Sequence, residues 1–231
     1  MAETLDTYQE YADAVLRDYK KRGETARNLL FDALKDRKIE RILDVGCSVG
    51  QEFFPFLEKS DAVCYGVDVA AELGVLTKNV FAEKYAERVN FVRAAGEILP
   101  FADQSFDAVL CRVSIPYMNN KKAIAEAARV LKKGGVYLLK THAPPFYFRM
   151  IKDRVKTLNP KQIAYPLICL TAGIWHSATG KQLEGGIWRG KEVYQTRSFL
   201  EKEFAENGLK IEKELSDTNP QSPSYFVVKT I

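Results

Sequence analysis

The chain has 231 residues, 46% of them apolar and 28% charged, with a formal net charge of +4. That is the make-up of an ordinary soluble globular protein with one sizeable core and room for an elaboration, and it excludes a low-complexity or disordered chain. No stretch reaches the ~18 apolar residues of a membrane span, the N-terminus lacks the pattern of a signal peptide, and the four cysteines show no metal spacing, so a cytoplasmic protein with reduced thiols and no metal is expected.

Residues 4–36 read as helical, with Leu16, Tyr19, Ala26, Leu29, Leu30, Ala33 and Leu34 at three- and four-residue spacing. Gly23 is expected to break this stretch into two helices. A first strand is expected over 41–45, a helix over 51–59, a second strand over 62–67 ending at Asp68, and a helix over 75–85. The third strand is expected over 89–93. The fourth, 106–111, follows the turn Ala102-Asp103-Gln104-Ser105. A helix over 121–131 is expected to stop at Lys132-Lys133-Gly134-Gly135, ahead of a fifth strand over 136–140. Residues 142–195 are aromatic, basic and irregular in pattern, with helices expected over 149–158 and 163–175. A last helix over 196–206 precedes two alternating strands, 209–215 and 224–230.

Short apolar strands alternating with helices predict an α/β fold. The expected architecture is a doubly wound, mostly parallel, seven-stranded Rossmann-like sheet with an antiparallel last strand. A helical, aromatic insertion follows strand five. The chain divides accordingly into N-terminal helices (1–40), a core (41–141), an insertion (142–195) and a closing helix and strands (196–231). Ligands of such sheets bind beyond the carboxyl ends of the strands. That edge carries residues 44–50, Asp68, 96–98, 111–117 and 141–142.

The first strand runs Ile42-Leu43-Asp44-Val45 into the turn Gly46-Cys47-Ser48-Val49-Gly50. Glycines let a backbone approach a ligand, and the helix that opens at Gln51 offers free N–H groups. The spacing is not the G-x-G-x-x-G of a dinucleotide turn. Asp44 opposes a pyrophosphate but suits an ammonium group. Asp68, 18 residues after Gly50, can accept from two adjacent ribose hydroxyls or can cap the next helix.

At this point the sequence resembles the class I S-adenosylmethionine (SAM)-dependent methyltransferases, small-molecule type. Their first motif is usually D-x-G-x-G-x-G, and Ser48 replaces the middle glycine. Residues 96–101, Gly96-Glu97-Ile98-Leu99-Pro100-Phe101, with Phe106-Asp107-Ala108-Val109, resemble the segment that frames adenine. Ala95 stands where many members have an aspartate. Arg129-Val130-Leu131-Lys132-Lys133-Gly134-Gly135 resembles the R-x-L-K-P-G-G before strand five, a structural element. The resemblance covers about residues 29–140, with a weaker tail over 198–230. It implies SAM as cofactor, giving S-adenosylhomocysteine (SAH), held by Asp44, Gly46, Cys47, Ser48, Gly50, Gln51, Asp68, Val69, Gly96, Glu97, Ile98, Arg112 and Val113. It also implies in-line transfer, mainly by proximity and alignment. Candidate acceptor-side residues are His142, as a base or as a hydrogen-bonded structural residue, and Tyr117 after strand four.

Residues 142–197 hold nine Lys/Arg against Asp153, Glu184 and Glu192, so this region carries the basic excess. Its aromatics and cations would suit a small amphiphilic or anionic acceptor; a plain helical cap fits the same residues. Contact with a membrane surface is conceivable over 163–175, although no amphipathic face is evident. An RNA acceptor is the weaker reading, because no N-P-P-Y-type tetrad follows strand four. A protein acceptor fits the same core, as does a SAM-binding protein without catalytic activity.

Overall fold

Along the first strand, Leu43 and Val45 face one hydrophobic core and Ile42 faces another. This period of two puts a sheet between two layers of helices. The computed structural model describes residues 2–231, with side chains from Asp6 onward. The first core joins the sheet to Ile124, Ala127, Leu200 and Phe204; the second joins it to Leu30, Leu34, Phe53 and Phe56.

In chain order the elements are α1 (Ala2–Lys21), α2 (Glu24–Leu34), β1 (Arg41–Val45), α3 (Phe54–Lys59), β2 (Val63–Asp68) and α4 (Ala71–Phe81). They continue with β3 (Val89–Arg93), β4 (Phe106–Arg112), α5 (Asn120–Val130), β5 (Leu131–Lys140), α6 (Pro144–Val155) and α7 (Pro160–Thr179). The chain closes with α8 (Arg197–Glu206), β6 (Leu209–Glu214) and β7 (Ser224–Lys229). The seven strands lie in the order β3-β2-β1-β4-β5-β7-β6. Pairs from β3 to β5 are parallel, and β7 runs antiparallel to both its neighbours. The order reverses between β1 and β4, which places the switch point at Gly46 and Arg112.

Several expected boundaries are corrected. The helix expected from Val75 starts four residues earlier, because Asp68 Oδ1 accepts from the Ala70 N–H and turns the chain at once. Gly74 lies inside that helix; a Cβ there would sit 2.3 Å from the Phe91 ring, so the residue permits close packing on β3. The glycine stop after α5 is also corrected. The helix ends at Val130, and residues 132–135 belong to β5, where the register with β4 shifts. In the insertion, α6 starts at Pro144, since prolines are tolerated in a first helical turn. Helix α7 runs 20 residues straight through Pro166.

Candidate active site

A cavity of about 540 Å³ opens at the carboxyl edge of the sheet, at the switch point. Its size is in the range of small-molecule sites. Of the residues assigned to the cofactor from sequence, Gly46, Ser48, Gln51, Asp68, Val69, Gly96, Glu97, Arg112 and Val113 line it. Tyr117 lines it as well, and Tyr11, Val67, Ala94, Ala95, Ser114 and Met118 complete the wall.

The glycine turn is tied to the end of β2. Gly46 and Cys47 both donate their N–H groups to the Val67 carbonyl, and the Ser48 N–H donates to Asp68 Oδ2 at 3.2 Å. Gly46 has φ +76°, and a Cβ on it would lie 2.3 Å from Ser114 Oγ. Ser48, where the resembling family keeps glycine, also sits at positive φ, +52°. Its hydroxyl lies 3.4 Å from Tyr11 Oη, which draws α1 over the cavity. Val113 holds φ +65°, a rare state for a β-branched residue, pinned by its N–H to the Lys140 carbonyl.

Asp68 lines the cavity and is not the N-cap of α4, whose cap position is Ala70. Each carboxylate oxygen accepts one backbone N–H, from Ala70 and from Ser48, at 3.1 and 3.2 Å. An ionised carboxylate has about four acceptor sites, so capacity remains on the cavity side.

Asp44, Cys47, Gly50 and Ile98 do not line the cavity. Asp44 is 2% exposed. Burial pushes its carboxyl well above the usual range, with the charges of Glu52 and Asp68 adding to the effect and Arg112 opposing it. The Cys47 thiol is buried against Gly66 and is also pushed well up, by burial first, so it is not a nucleophile. Ile98 is exposed and its N–H is spent on the Ala95 carbonyl. Glu97 accepts the Asn119 N–H at 2.7 Å, fixing the loop after β4. Arg129 is structural, reaching the Leu99 and Phe101 carbonyls, Asp103 and Glu126.

A chain of ion pairs underlies one end of the cavity. Arg22 meets Glu52 at 2.8 Å, Arg112 lies 3.8 Å from Glu52 and 2.9 Å from Asp217, and Lys140 meets Asp217 at 2.7 Å. Two polar atoms of cavity-lining residues have no protein partner: Arg112 Nη1, a donor, and Gln51 Oε1, an acceptor. Six further buried polar atoms among the described residues also lack a protein partner, Asp217 Oδ1 of the same ion-pair chain among them; Arg112 and Gln51 stand apart in lining the cavity. One donor and one acceptor fit the carboxylate and ammonium of an amino acid. Beside Asp68, which suits a ribose, they fit the methionine and ribose parts of SAM.

Sequence reasoning missed Glu192. Its carboxylate is 3% exposed and accepts from Tyr117 at 3.0 Å, Tyr165 at 2.7 Å, Tyr147 at 2.9 Å and His142 Nδ1 at 2.8 Å. Burial raises its carboxyl, but hydrogen bonds from His142, Tyr165 and Tyr147 outweigh that and hold it below the usual range. Tyr117 is pushed up to about 12, by burial and then by the Glu192 charge. His142 stacks on Phe146 at 3.6 Å and lies outside the cavity lining, so it meets the site through Glu192. The other histidine, His176, is buried against Phe199. The one sequence signal for Glu192 was its status as an acid in a basic segment.

Residues 43–139 match the family described as methyltransferase domain. An uncharacterized methyltransferase, YcgJ of Bacillus subtilis, is 35% identical over 121 residues, covering 51% of this chain and 46% of that protein. Demethylmenaquinone methyltransferase of Renibacterium salmoninarum is 33% identical over 139 residues, covering 58% and 55% respectively. The chain thus spans about half the length of the curated relatives it matches. Among solved structures, magnesium protoporphyrin IX methyltransferase from Synechocystis PCC 6803, with bound SAH, superposes with a TM-score of 0.64 at 14% identity, covering 99% of each chain.

Proposed function

We propose that this chain, which has the class I methyltransferase fold and a methyltransferase domain at residues 43–139, transfers a methyl group from SAM to an oxygen or nitrogen of a small, amphiphilic or anionic acceptor. The observation that carries the reading is the pairing of two orphaned polar atoms, on Arg112 and Gln51, with the carboxylate of Asp68 around one cavity. When bound, SAM supplies an electrophilic methyl on a sulfonium.

The chain's own residues then bind and orient. Arg112 would hold the cofactor carboxylate and Gln51 its amino group, each with an atom left without a protein partner. Asp44 lies buried behind this end, outside the lining, and burial holds it toward its neutral form. Asp68 accepts from the ribose hydroxyls. Ala94, Ala95, Gly96 and Val69 frame the adenine with small and apolar surface. Tyr117 touches the acceptor. With its hydroxyl pushed up to about 12 it stays protonated at neutral pH and removes no proton; its one proton is given to Glu192, so toward an acceptor the oxygen is left to accept. His142, with Nδ1 held by Glu192, has Nε2 left to take a proton from an acceptor reaching past Tyr117. The quinone substrate class named for the R. salmoninarum relative is one example of a small apolar acceptor.

The test is methyl transfer from labelled SAM into a cell extract. Label should enter a ribonuclease-resistant small-molecule fraction. Label confined to RNA or protein would reassign the acceptor, and SAM binding without any transfer would make the chain a SAM-binding scaffold.

Asp44→Asn separates stability from binding. A carboxyl raised in the folded state loses stability as pH climbs above its unfolded value of ~3.9, because only the unfolded chain then gives up the proton. The amide escapes that cost. Without ligand, the variant should melt higher than the parent at pH 7, while SAM affinity should change little, because Asp44 does not line the cavity. A lower melting point without ligand would contradict this account of Asp44.

A further inference from the structure

Helix α7 is uncharged from Gln162 to Thr179, and it is apolar on both sides. Its inner face, with Cys169, Leu170 and Ala172, is buried against α6 and the segment around Tyr194. Its outer face carries Leu167, Ile174 and Trp175 to solvent, on a stripe that also holds Ala164, Thr171 and Ala178. A helix that is apolar all round is normally covered on all sides. Among the described residues nothing covers this stripe, and no helix is long and apolar enough to cross a membrane. The apolar surface continues at the tip of the α6–α7 hairpin, where Val155 and Leu158 are exposed, Leu158 to 85%.

The charge around this surface has one sign. Residues 144–180 contain five basic residues (Arg149, Lys152, Arg154, Lys156, Lys161) and one acid, Asp153, which pairs with Arg149. The remaining cations cluster where α6 ends and α7 begins, beside Val155 and Leu158.

We propose that the α6–α7 hairpin docks on an anionic bilayer surface, with Leu158, Leu167, Ile174 and Trp175 entering the acyl boundary and Lys152, Lys156 and Lys161 meeting lipid head groups. Apolar stripe and basic rim together match that surface, and tryptophan prefers the interfacial depth. A second copy of the chain would set the same uncompensated positive charge against itself. Nucleic acid would need cations across the stripe, which has none. The inference does not depend on methyl transfer and is tested without cofactor.

The experiment is co-sedimentation of the full chain with phosphatidylcholine vesicles, with and without a phosphatidylglycerol fraction. Binding should require the anionic lipid and weaken with salt. Each basic residue near an anionic surface contributes roughly a fivefold factor, so Lys152→Glu with Lys156→Glu should lower partitioning more than tenfold. Trp175→Glu should lower it comparably. Both variants are at exposed positions and should keep the parental melting temperature. Failure to bind anionic vesicles, or binding that both variants leave unchanged, overturns the proposal. A vesicle-free dimer that Trp175→Glu dissolves would assign the face to self-association and overturn it equally.

Discussion

Asp68→Ala should abolish the rise in melting temperature that SAM produces in the parent chain. A ligand at 100 times its Kd stabilises a folded protein by about 2.7 kcal/mol, several degrees for a chain of this size. Two hydrogen bonds to a charged acceptor, at ~1.5–3 kcal/mol each, put the loss of affinity at about 10²- to 10⁴-fold, enough to erase the shift at the same concentration. The alanine also removes the acceptor for the Ser48 and Ala70 N–H groups, so the unliganded variant should melt lower. Asp68→Asn controls for this. It keeps an oxygen for one N–H but cannot accept from both ribose hydroxyls, so it should retain more stability while still losing most of the shift. A full SAM-dependent shift in Asp68→Ala would place the cofactor elsewhere.

The second large effect belongs to Glu192. This buried carboxylate ties the loop after β4 and the start of the insertion to α6 and α7 through four donors. Glu192→Ala leaves three tyrosine hydroxyls and an imidazole without their acceptor, and removing one partner of a buried charged network costs about 3–5 kcal/mol. Against a total stability of roughly 5–15 kcal/mol, that should detach the insertion or unfold the chain. Glu192→Gln keeps the shape, yet offers one acceptor oxygen and brings two donors of its own, so a loss of about 1–3 kcal/mol is expected.

The pH dependence distinguishes charge from shape. A carboxyl held below its unfolded pKa of ~4.3 gives stability that is fully present above that value and is lost as pH falls through the folded pKa. The gap in melting temperature between parent and Glu192→Gln should therefore be constant from neutrality down to about pH 5 and shrink below about pH 4. A gap that persists unchanged in acid would make the role of Glu192 one of packing alone.

The core was legible because its signals are local. Strands β1 and β3 fall where their apolar runs place them, and the glycine turn with Asp68 lies within 25 residues, Asp44 to Asp68, of one strand–helix–strand unit. The start of α4 departs from the expected Val75 because a turn bonded to Asp68 begins the helix early and Phe91 packs on Gly74 inside it. Pro144 opens a helix five residues before the expected start, whereas the helix through Pro166 falls where it is expected, with packing around Tyr147, Cys169 and Tyr194 outweighing the lost N–H. The Glu192 network was invisible for a different reason. Its donors lie 27 to 75 residues away in sequence, and no spacing rule links a loop, a strand end and two helices across that distance. Gln51 and Arg112 are picked out by position, but their orphaned atoms exist only in three dimensions.

The most direct test is a crystal structure of the full chain with SAH. It should show both ribose hydroxyls on the Asp68 carboxylate, the ligand carboxylate on Arg112 Nη1, its amino group on Gln51 Oε1, and adenine beside Gly96. Ligand bound outside this cavity, or a cavity still empty at saturating SAH, would contradict the account.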